Sequence, residues 1–280
     1  MGISTRRNPV FEAEAQGEQV VRTDQFEWLA RAGLLARGVV YGIIGVLAIK
    51  LALGHGGKAT DQQGALHTIA KQPFGKFLLV VVAVGLAGYA LWRLVRAGIG
   101  HGPEASDDIK ERIDGAISGV GYALLCVTAV SILRGSGAGV GGSSDPDKTT
   151  AGVLGWPAGR VLVAVAGLII VGVGLEQGYR GAKCKFLEKS KTEEMGPRML
   201  SAFTAVGVFG HLARMVVFGL IGYFLFRAAI DYDADKSVGL DGALATLGQS
   251  SYGPILLGIV AAGLIGFGFY SALDARYRKV

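Results

Sequence analysis

Residues 35–45 read LARGVVYGIIG, and residues 212–222 read LARMVVFGLIG. Eight of the eleven positions are identical at a separation of 177 residues. Each copy places one arginine, Arg37 or Arg214, in an apolar segment that is rich in glycine. A long segment that recurs at a fixed distance indicates a duplicated structural unit.

The similarity between the two copies continues downstream. KATDQQGALHTIAKQPFGKFLL at 58–79 aligns with KSVGLDGALATLGQSSYGPILL at 236–257, now at a separation of 178 residues. At the same separation, GLAGY at 85–89 aligns with GLIGF at 263–267. The duplicated unit is therefore about 70 residues long and contains two apolar segments.

A weaker third copy lies between these two, from about residue 112 to residue 181. Its WPAGRVLV at 156–163 aligns with QPFGKFLL at 72–79, and its Ser118 falls at the position of the arginine in the other copies. The chain consequently contains three consecutive repeats, and the middle one lacks the arginine.

Composition favours a membrane protein. The chain is 51% hydrophobic and 18% charged, contains 45 glycines and has a mean hydropathy of +0.43. Transmembrane helices tolerate glycine more than soluble helices do. Six apolar stretches approach the roughly 20 residues that span a bilayer core. The predicted spans are 33–53, 77–97, 113–133, 161–179, 206–230 and 255–274.

Each repeat contains a helix, a loop and a second helix, so two crossings return the chain to the same side of the membrane. The three repeats then point the same way, as parallel repeats about an axis along the membrane normal. The predicted fold is an all-α integral membrane bundle of six transmembrane helices with pseudo-threefold symmetry. The predicted units are a polar tail at 1–29 and two-helix repeats at 30–98, 111–181 and 206–278.

Charge distribution predicts the orientation. Most of the 28 lysines and arginines lie in the tails, in the two linkers between repeats and in the adjoining helix turns. The positive-inside rule places both termini and both linkers in the cytoplasm, with the protein in the plasma (inner) membrane. The tail has no apolar run, so we expect no cleavable signal peptide. The net charge of +6 is explained by topology, and no nucleic-acid partner is expected.

The loops on the other side of the membrane are predicted to differ between repeats. In the first repeat, Thr60 and Gln63 have the spacing of a capping box at the start of a short helix. The third repeat has the same pattern of apolar residues in its loop. The middle repeat instead has a segment rich in glycine and serine at 135–150, for which we predict an irregular structure.

These motifs resemble those of a bacterial integral membrane family of unassigned function. The shared features are the arginine, VV, aromatic and glycine pattern of the first helix, the G-A-L loop helix and the G-L-x-G-aromatic second helix. Proteins of that family contain three consecutive two-helix units. The resemblance implies a membrane location and six helices, and it implies no activity, substrate or catalytic residue.

The two arginines are the first candidate site residues. Arg37 and Tyr41 share a helical face with Gly33 and Gly45, and Arg214 lies on the corresponding face of its own helix. A face with two glycines favours close helix contact. The arginines could pair with carboxylates or cap helix carbonyls inside the bundle, snorkel to the lipid headgroups, or bind an anion or a lipid phosphate. Because the middle repeat has a serine, a symmetric arginine ring is excluded.

Four further charges lie near the linker ends of the second helices. Glu176 and Asp274 occupy this level in the second and third repeats, where the first repeat has Arg93 and Arg96. They could form an ion-pair cluster around the axis, acting as a structural latch or a gate. The alternative is that they are solvated charges at the membrane edge.

No catalytic motif, metal-ligand spacing or cofactor fingerprint occurs in a credible context, so we expect no enzyme activity, metal or cofactor. Two functions remain open. The first is a carrier or channel-like bundle for a small solute or ion along the pseudo-threefold axis. The second is a structural or assembly protein that binds membrane lipid, a partner membrane protein or a second copy of itself.

Overall fold

The computed structural model describes residues 24–55, 59–99, 109–135 and 146–279. These residues form nine α-helices and three short 3-10 helices, and they contain no named strand. The α-helices are α1 (Asp24–Ala52), α2 (Gln62–Ala70), α3 (Gly75–Ile99), α4 (Ile109–Leu133), α5 (Pro146–Leu154), α6 (Gly159–Ala182), α7 (Pro197–Asp231), α8 (Leu240–Gln249) and α9 (Gly253–Tyr277).

The six long helices confirm the six predicted spans, since each is long and apolar enough to cross a membrane. Helix α7 begins at Pro197, nine residues before the predicted span, because proline is well suited to the first turn of a helix. Helix α1 begins at Asp24, so the end of the predicted polar tail is helical. The rest of that tail, including the prediction that it holds no signal peptide, lies outside the described residues.

The long helices follow one another around the bundle in chain order. Helix α3 packs against α4, α6 against α7, and α9 against α1, so the second helix of every repeat contacts the first helix of the next. Helices also pair within the first repeat, α1 with α3, and within the third, α7 with α9. This arrangement agrees with three similar repeats around a central axis.

The ring is incomplete at the middle repeat. Helices α4 and α6 form no extended interface with each other, and α4 forms none with α7. Only 17% of the apolar membrane-spanning stretch of α4 and 22% of that of α6 is buried inside the protein, compared with 56% for α1 and α9. We call the space between α4 and the α6–α7 pair the lateral opening. The symmetric bundle expected from the repeats is therefore broken on one side.

Glycine contacts explain why α4 and α6 separate. On α4, Gly115 and Gly119 face Arg93 and Leu94 of α3. On α6, Gly167 faces α7 so closely that a Cβ atom there would lie 2.9 Å from the carbonyl oxygen of Gly222. Each helix therefore places these close-packing glycines against a helix of another repeat, and not against the other of the two helices.

The backbones of α1 and α9 lie close together at two glycines. A Cβ atom at Gly38 would lie 2.8 Å from the carbonyl oxygen of Gly268, and one at Gly268 would lie 2.8 Å from that of Gly38. These glycines therefore serve packing within the bundle. The contact brings the last turns of α9 beside the first half of α1.

Short helices cover one end of the bundle, which we call the loop side. The opposite end, at which α3 ends and α4 begins, is the linker side. Helix α2 buries Leu66 and Ile69, and α8 buries Leu240 and Leu244, all within the main apolar core. The loop side is therefore filled by apolar side chains at the centre of the bundle.

Two predictions for the loops were wrong. The side chain of Asp61, not Thr60, caps α2 by accepting a hydrogen bond of 2.7 Å from the backbone N–H of Gly64. The middle repeat contains helix α5 where an irregular segment was predicted, because Pro146 provides a favourable first turn. Residues 136–145 of that segment lie outside the described residues.

We expect Gly38→Ala to destabilise the protein by about 1–3 kcal/mol, because the new methyl group would push α1 and α9 apart. Gly42→Ala is the matched control, since a Cβ atom at Gly42 meets no atom within 4 Å. It should leave stability unchanged or raise it slightly, because alanine favours a helix more than glycine does. Thermal unfolding in detergent measures both. Equal midpoints for the two variants would contradict the proposed contact.

Candidate functional site

The candidate site is a cavity at the centre of the bundle. It has a volume of about 310 Å³ and brings together Arg37, Ser118 and Arg214, the three equivalent positions of the repeats. A second cavity of about 230 Å³ adjoins it and shares Tyr41, Gln62 and Arg214 with it. We call the two cavities together the chamber. Its other lining residues are Val40, Leu86, Gly121, Tyr122, Leu125, Val217, Phe218, Ile221, Leu240 and Leu264.

Arg37 is held in place by partners on two helices. Its Nε donates to Ser271 Oγ at 3.1 Å, and its Nη1 donates to the Tyr89 hydroxyl at 3.1 Å. Its Nη2 lies 3.7 Å from a carboxylate oxygen of Asp274. The arginine is 8% exposed, so its charge is compensated inside the protein. Of the roles open from sequence, these contacts support pairing with a carboxylate.

Asp274 is completely buried, so its interpretation as a solvated charge at the membrane edge was wrong. Besides Arg37, the carboxylate pairs with Arg278 at 3.1 Å. Arg93 joins the same network, because its Nε donates to the Tyr89 hydroxyl at 3.2 Å. Buried charges are tolerated when they are paired and hydrogen-bonded, as they are here.

The remaining two predicted charges are Glu176 and Arg96. Glu176 lies on α6 and accepts a hydrogen bond of 2.9 Å from Arg180, one turn further along the helix. It is partly exposed and does not line the chamber. Arg96 lies on α3, but its side chain is outside the described part of the structure. A symmetric cluster of charges around the axis is therefore not formed by Glu176.

Arg214 has surroundings of a different kind. Its guanidinium carbon lies 4.5 Å from the ring centre of Phe267, 5.2 Å from Phe218 and 5.5 Å from Tyr41. Its Nε is buried without a hydrogen-bond partner, and no carboxylate of the described residues lies within 4.0 Å of it. Aromatic faces attract a cation, but they do not neutralise its charge.

The register of the repeats explains why the two arginines differ. Phe267 stands where the first repeat has Tyr89, so the hydroxyl that accepts from Arg37 has no counterpart near Arg214. The positions of α6 that correspond to Ser271 and Asp274 of α9 are Gln177 and Arg180. On the helix that packs beside Arg214, an arginine of the middle repeat therefore replaces the compensating carboxylate.

Two polar groups share the chamber with Arg214. The Tyr41 hydroxyl and the Gln62 amide make no hydrogen bond within the described ranges, and both residues border the two cavities. A guanidinium, a phenol and an amide can all donate hydrogen bonds. The chamber-lining residues include no aspartate or glutamate. The arrangement consequently suits an oxyanion.

Sequence reasoning placed Gln62 in a short loop helix that either lies flat at the outer interface or covers the bundle, and it did not single out this residue. The neighbouring Asp61 carboxyl is engaged with the backbone of α2. Its burial raises its pKa, and the nearby charge of Asp241 raises it further. Reading the loop helix as a lid over the arginines would have found Gln62.

We expect Arg37→Met to destabilise the protein by about 3 kcal/mol. Removing one partner of a buried ion pair typically costs about 3–5 kcal/mol, and Arg278 still pairs with Asp274 here. Arg214→Met is the matched control from the equivalent position. It should change stability by about 1 kcal/mol or less, because it leaves no carboxylate unpaired. Unfolding in detergent measures both, and equal losses would refute the difference in pairing.

Comparisons with known proteins agree with the three-repeat architecture. Residues 32–100, 114–183 and 209–278 each match the family described as Domain of Unknown Function (DUF1206). The chain is 33% identical over 266 residues to "Uncharacterized protein YxxB" of Bacillus subtilis (strain 168), covering 93% of this chain and 95% of that protein. No solved structure matches the chain. Three tandem matches along one six-helix membrane protein show that the chain belongs to the DUF1206 family.

Proposed function

We propose that this protein binds a phosphate-bearing anion in its chamber, with Arg214 as the anion-binding residue. The observation that carries the proposal is the uncompensated guanidinium of Arg214 beside the free Tyr41 hydroxyl and Gln62 amide. Donors that approach from three elements, α1, α2 and α7, suit a tetrahedral oxyanion better than a planar one. The phosphate group would supply the negative charge that Asp274 supplies to Arg37 and that no described carboxylate supplies to Arg214.

Electrostatics support this assignment. A cation removed from water is costly unless a negative charge offsets the loss of hydration. Arg37 receives that charge from Asp274, whereas Arg214 has only aromatic rings within reach. A bound phosphate would form charge-assisted hydrogen bonds, which are roughly twice as strong as neutral ones. The protein therefore has an energetic reason to hold an anion at this position.

Of the two functional hypotheses, the chamber favours the second, in the form of lipid binding. A carrier or channel needs a path along the axis, and the loop side of the axis is filled by Leu66, Leu240 and Leu244. The chamber borders membrane-spanning helices, so a phosphate in a lipid headgroup is the nearest source of the anion. A partner membrane protein or a second copy has no comparable feature in its favour.

The proposed orientation places the linker side in the cytoplasm of a plasma membrane, because the linker after α6 is rich in lysine. Cys184 in that linker is partly exposed and serves as a reporter. In intact bacterial cells, a membrane-impermeant maleimide should leave Cys184 unlabelled and should label it in inverted vesicles. Ser251→Cys on the loop side should give the reverse result. Labelling of Cys184 from outside would invert the proposed orientation.

The anion proposal is tested by titrating the purified protein with dioleoyl phosphatidic acid, using native mass spectrometry. We expect Arg214→Met to lower the affinity at least tenfold, since a charged hydrogen bond contributes about 1.5–3 kcal/mol. Arg227→Met is the control, because Arg227 lies on the same helix but is exposed and paired with Asp231 at 3.1 Å. Dioleoyl phosphatidylcholine, which has no net charge, should bind much more weakly to the wild type.

Unchanged affinity of Arg214→Met for phosphatidic acid would overturn the proposal. The same conclusion would follow if Arg227→Met lost as much affinity as Arg214→Met. Because Arg214→Met is expected to keep its stability, a loss of binding in that variant will not be a consequence of unfolding.

A further inference from the structure

We propose that the phosphate belongs to a lipid-like amphiphile, which enters the chamber sideways through the lateral opening and leaves its acyl chains in the bilayer. This inference rests on the proposed function, because it takes Arg214 as the group that holds the phosphate. It adds the route of entry and the class of ligand. Neither follows from the presence of an anion site alone.

The lateral opening borders the chamber. On α4, Ser118, Gly121 and Tyr122 line the larger cavity. On α7, Phe218 and Ile221 line the smaller one. Since α4 and α7 both line the chamber and have no extended interface with each other, we infer that the lateral opening between them borders the chamber.

Gly121 marks the rim of the opening. It lines the chamber and is nevertheless exposed, and a Cβ atom at this position would meet no atom within 4 Å. The residue therefore has free space on a helix that is otherwise packed against α3. A side chain larger than hydrogen would project into this space without disturbing the backbone of a neighbour.

The surface around the rim is suited to hydrocarbon. Ile117, Val120 and Leu124 are exposed on α4, and all three lie in its membrane-spanning part, Arg112–Leu133. Any phosphate that reaches Arg214 through the lateral opening passes this apolar zone. The acyl chains of an amphiphile can occupy the zone while its headgroup lies in the chamber.

The size of the chamber separates headgroup from chains. Its larger cavity, of about 310 Å³, is at the lower limit for ligand pockets, which commonly measure about 300–1,000 Å³, and the adjoining cavity measures about 230 Å³. The chamber can accept a phosphate headgroup, but it cannot enclose two long acyl chains. On the loop side, α2 and α8 bury apolar side chains in the main core, so in this proposal the chains attached to a bound phosphate leave through the lateral opening.

The test blocks the rim and leaves the anion site intact. Gly121→Leu should lower the affinity for dioleoyl phosphatidic acid at least fivefold in native mass spectrometry. Gly172→Leu on α6 is the matched control, since Gly172 is also exposed, meets no atom within 4 Å at its Cβ position and does not line the chamber. It should bind like the wild type. If Gly121→Leu does not fold, Ser118→Leu occupies the same side of the chamber and replaces it.

A second experiment tests competition by glycerol 3-phosphate, because this compound carries the phosphate without acyl chains. We expect a hundredfold molar excess of it to leave binding of phosphatidic acid unchanged. Competition at equimolar concentration would identify a free phosphate compound as the ligand and overturn the amphiphile. Full binding by Gly121→Leu, or by Ser118→Leu where it replaces that variant, together with loss of binding in Arg214→Met, would overturn sideways entry and retain the anion site. Full binding by Arg214→Met would instead overturn the proposed function.

Discussion

The backbone contact between Gly38 and Gly268 is the feature on which the centre of this protein depends. It lets α9 approach α1 closely, and Ser271 and Asp274 then lie within reach of Arg37. With a larger side chain at either glycine, the ion pair would be stretched and a buried carboxylate would lose a partner. Packing and electrostatics are thus coupled: small residues set the distance at which the charges compensate each other.

Duplication gave the first and third repeats the same arginine, but not the same neighbours. Arg37 has a hydroxyl from Tyr89 and a carboxylate from Asp274, whereas Arg214 has the ring of Phe267. One copy of the motif therefore stabilises the bundle. The guanidinium of the other copy has no carboxylate within 4.0 Å among the described residues, and it is the group that we propose holds a phosphate.

Much of the fold could be predicted from the sequence, because hydropathy and repeat spacing determine where helices cross a membrane. The six spans and the shared position of Arg37, Ser118 and Arg214 followed from these patterns. The buried pairing of Asp274 was among the alternatives, but hydropathy alone could not decide it. The missing partner of Arg214 could have been predicted by comparing the second helices of the repeats residue by residue.

Other features could not be obtained in this way. Which glycine face meets which neighbour depends on the three-dimensional fit of helices, so the separation of α4 from α6 was not visible in the repeat pattern. The cap at Asp61 and helix α5 were missed because local signals compete within short loops. Gln62 was missed because a loop helix can fold back over a chamber that its own sequence does not reveal.

The broken ring has a mechanical consequence. Helices α4, α3 and α1 form one group, and α6, α7 and α9 form another, and the extended interface between long helices of the two groups is that of α1 with α9. Each group contains one and a half repeats, so the units of gene duplication are not the units of packing. The contact between Gly38 and Gly268 lies opposite the lateral opening and could act as a hinge. Rotation of the two groups about it would change the width of the gap while every other extended interface between long helices is preserved.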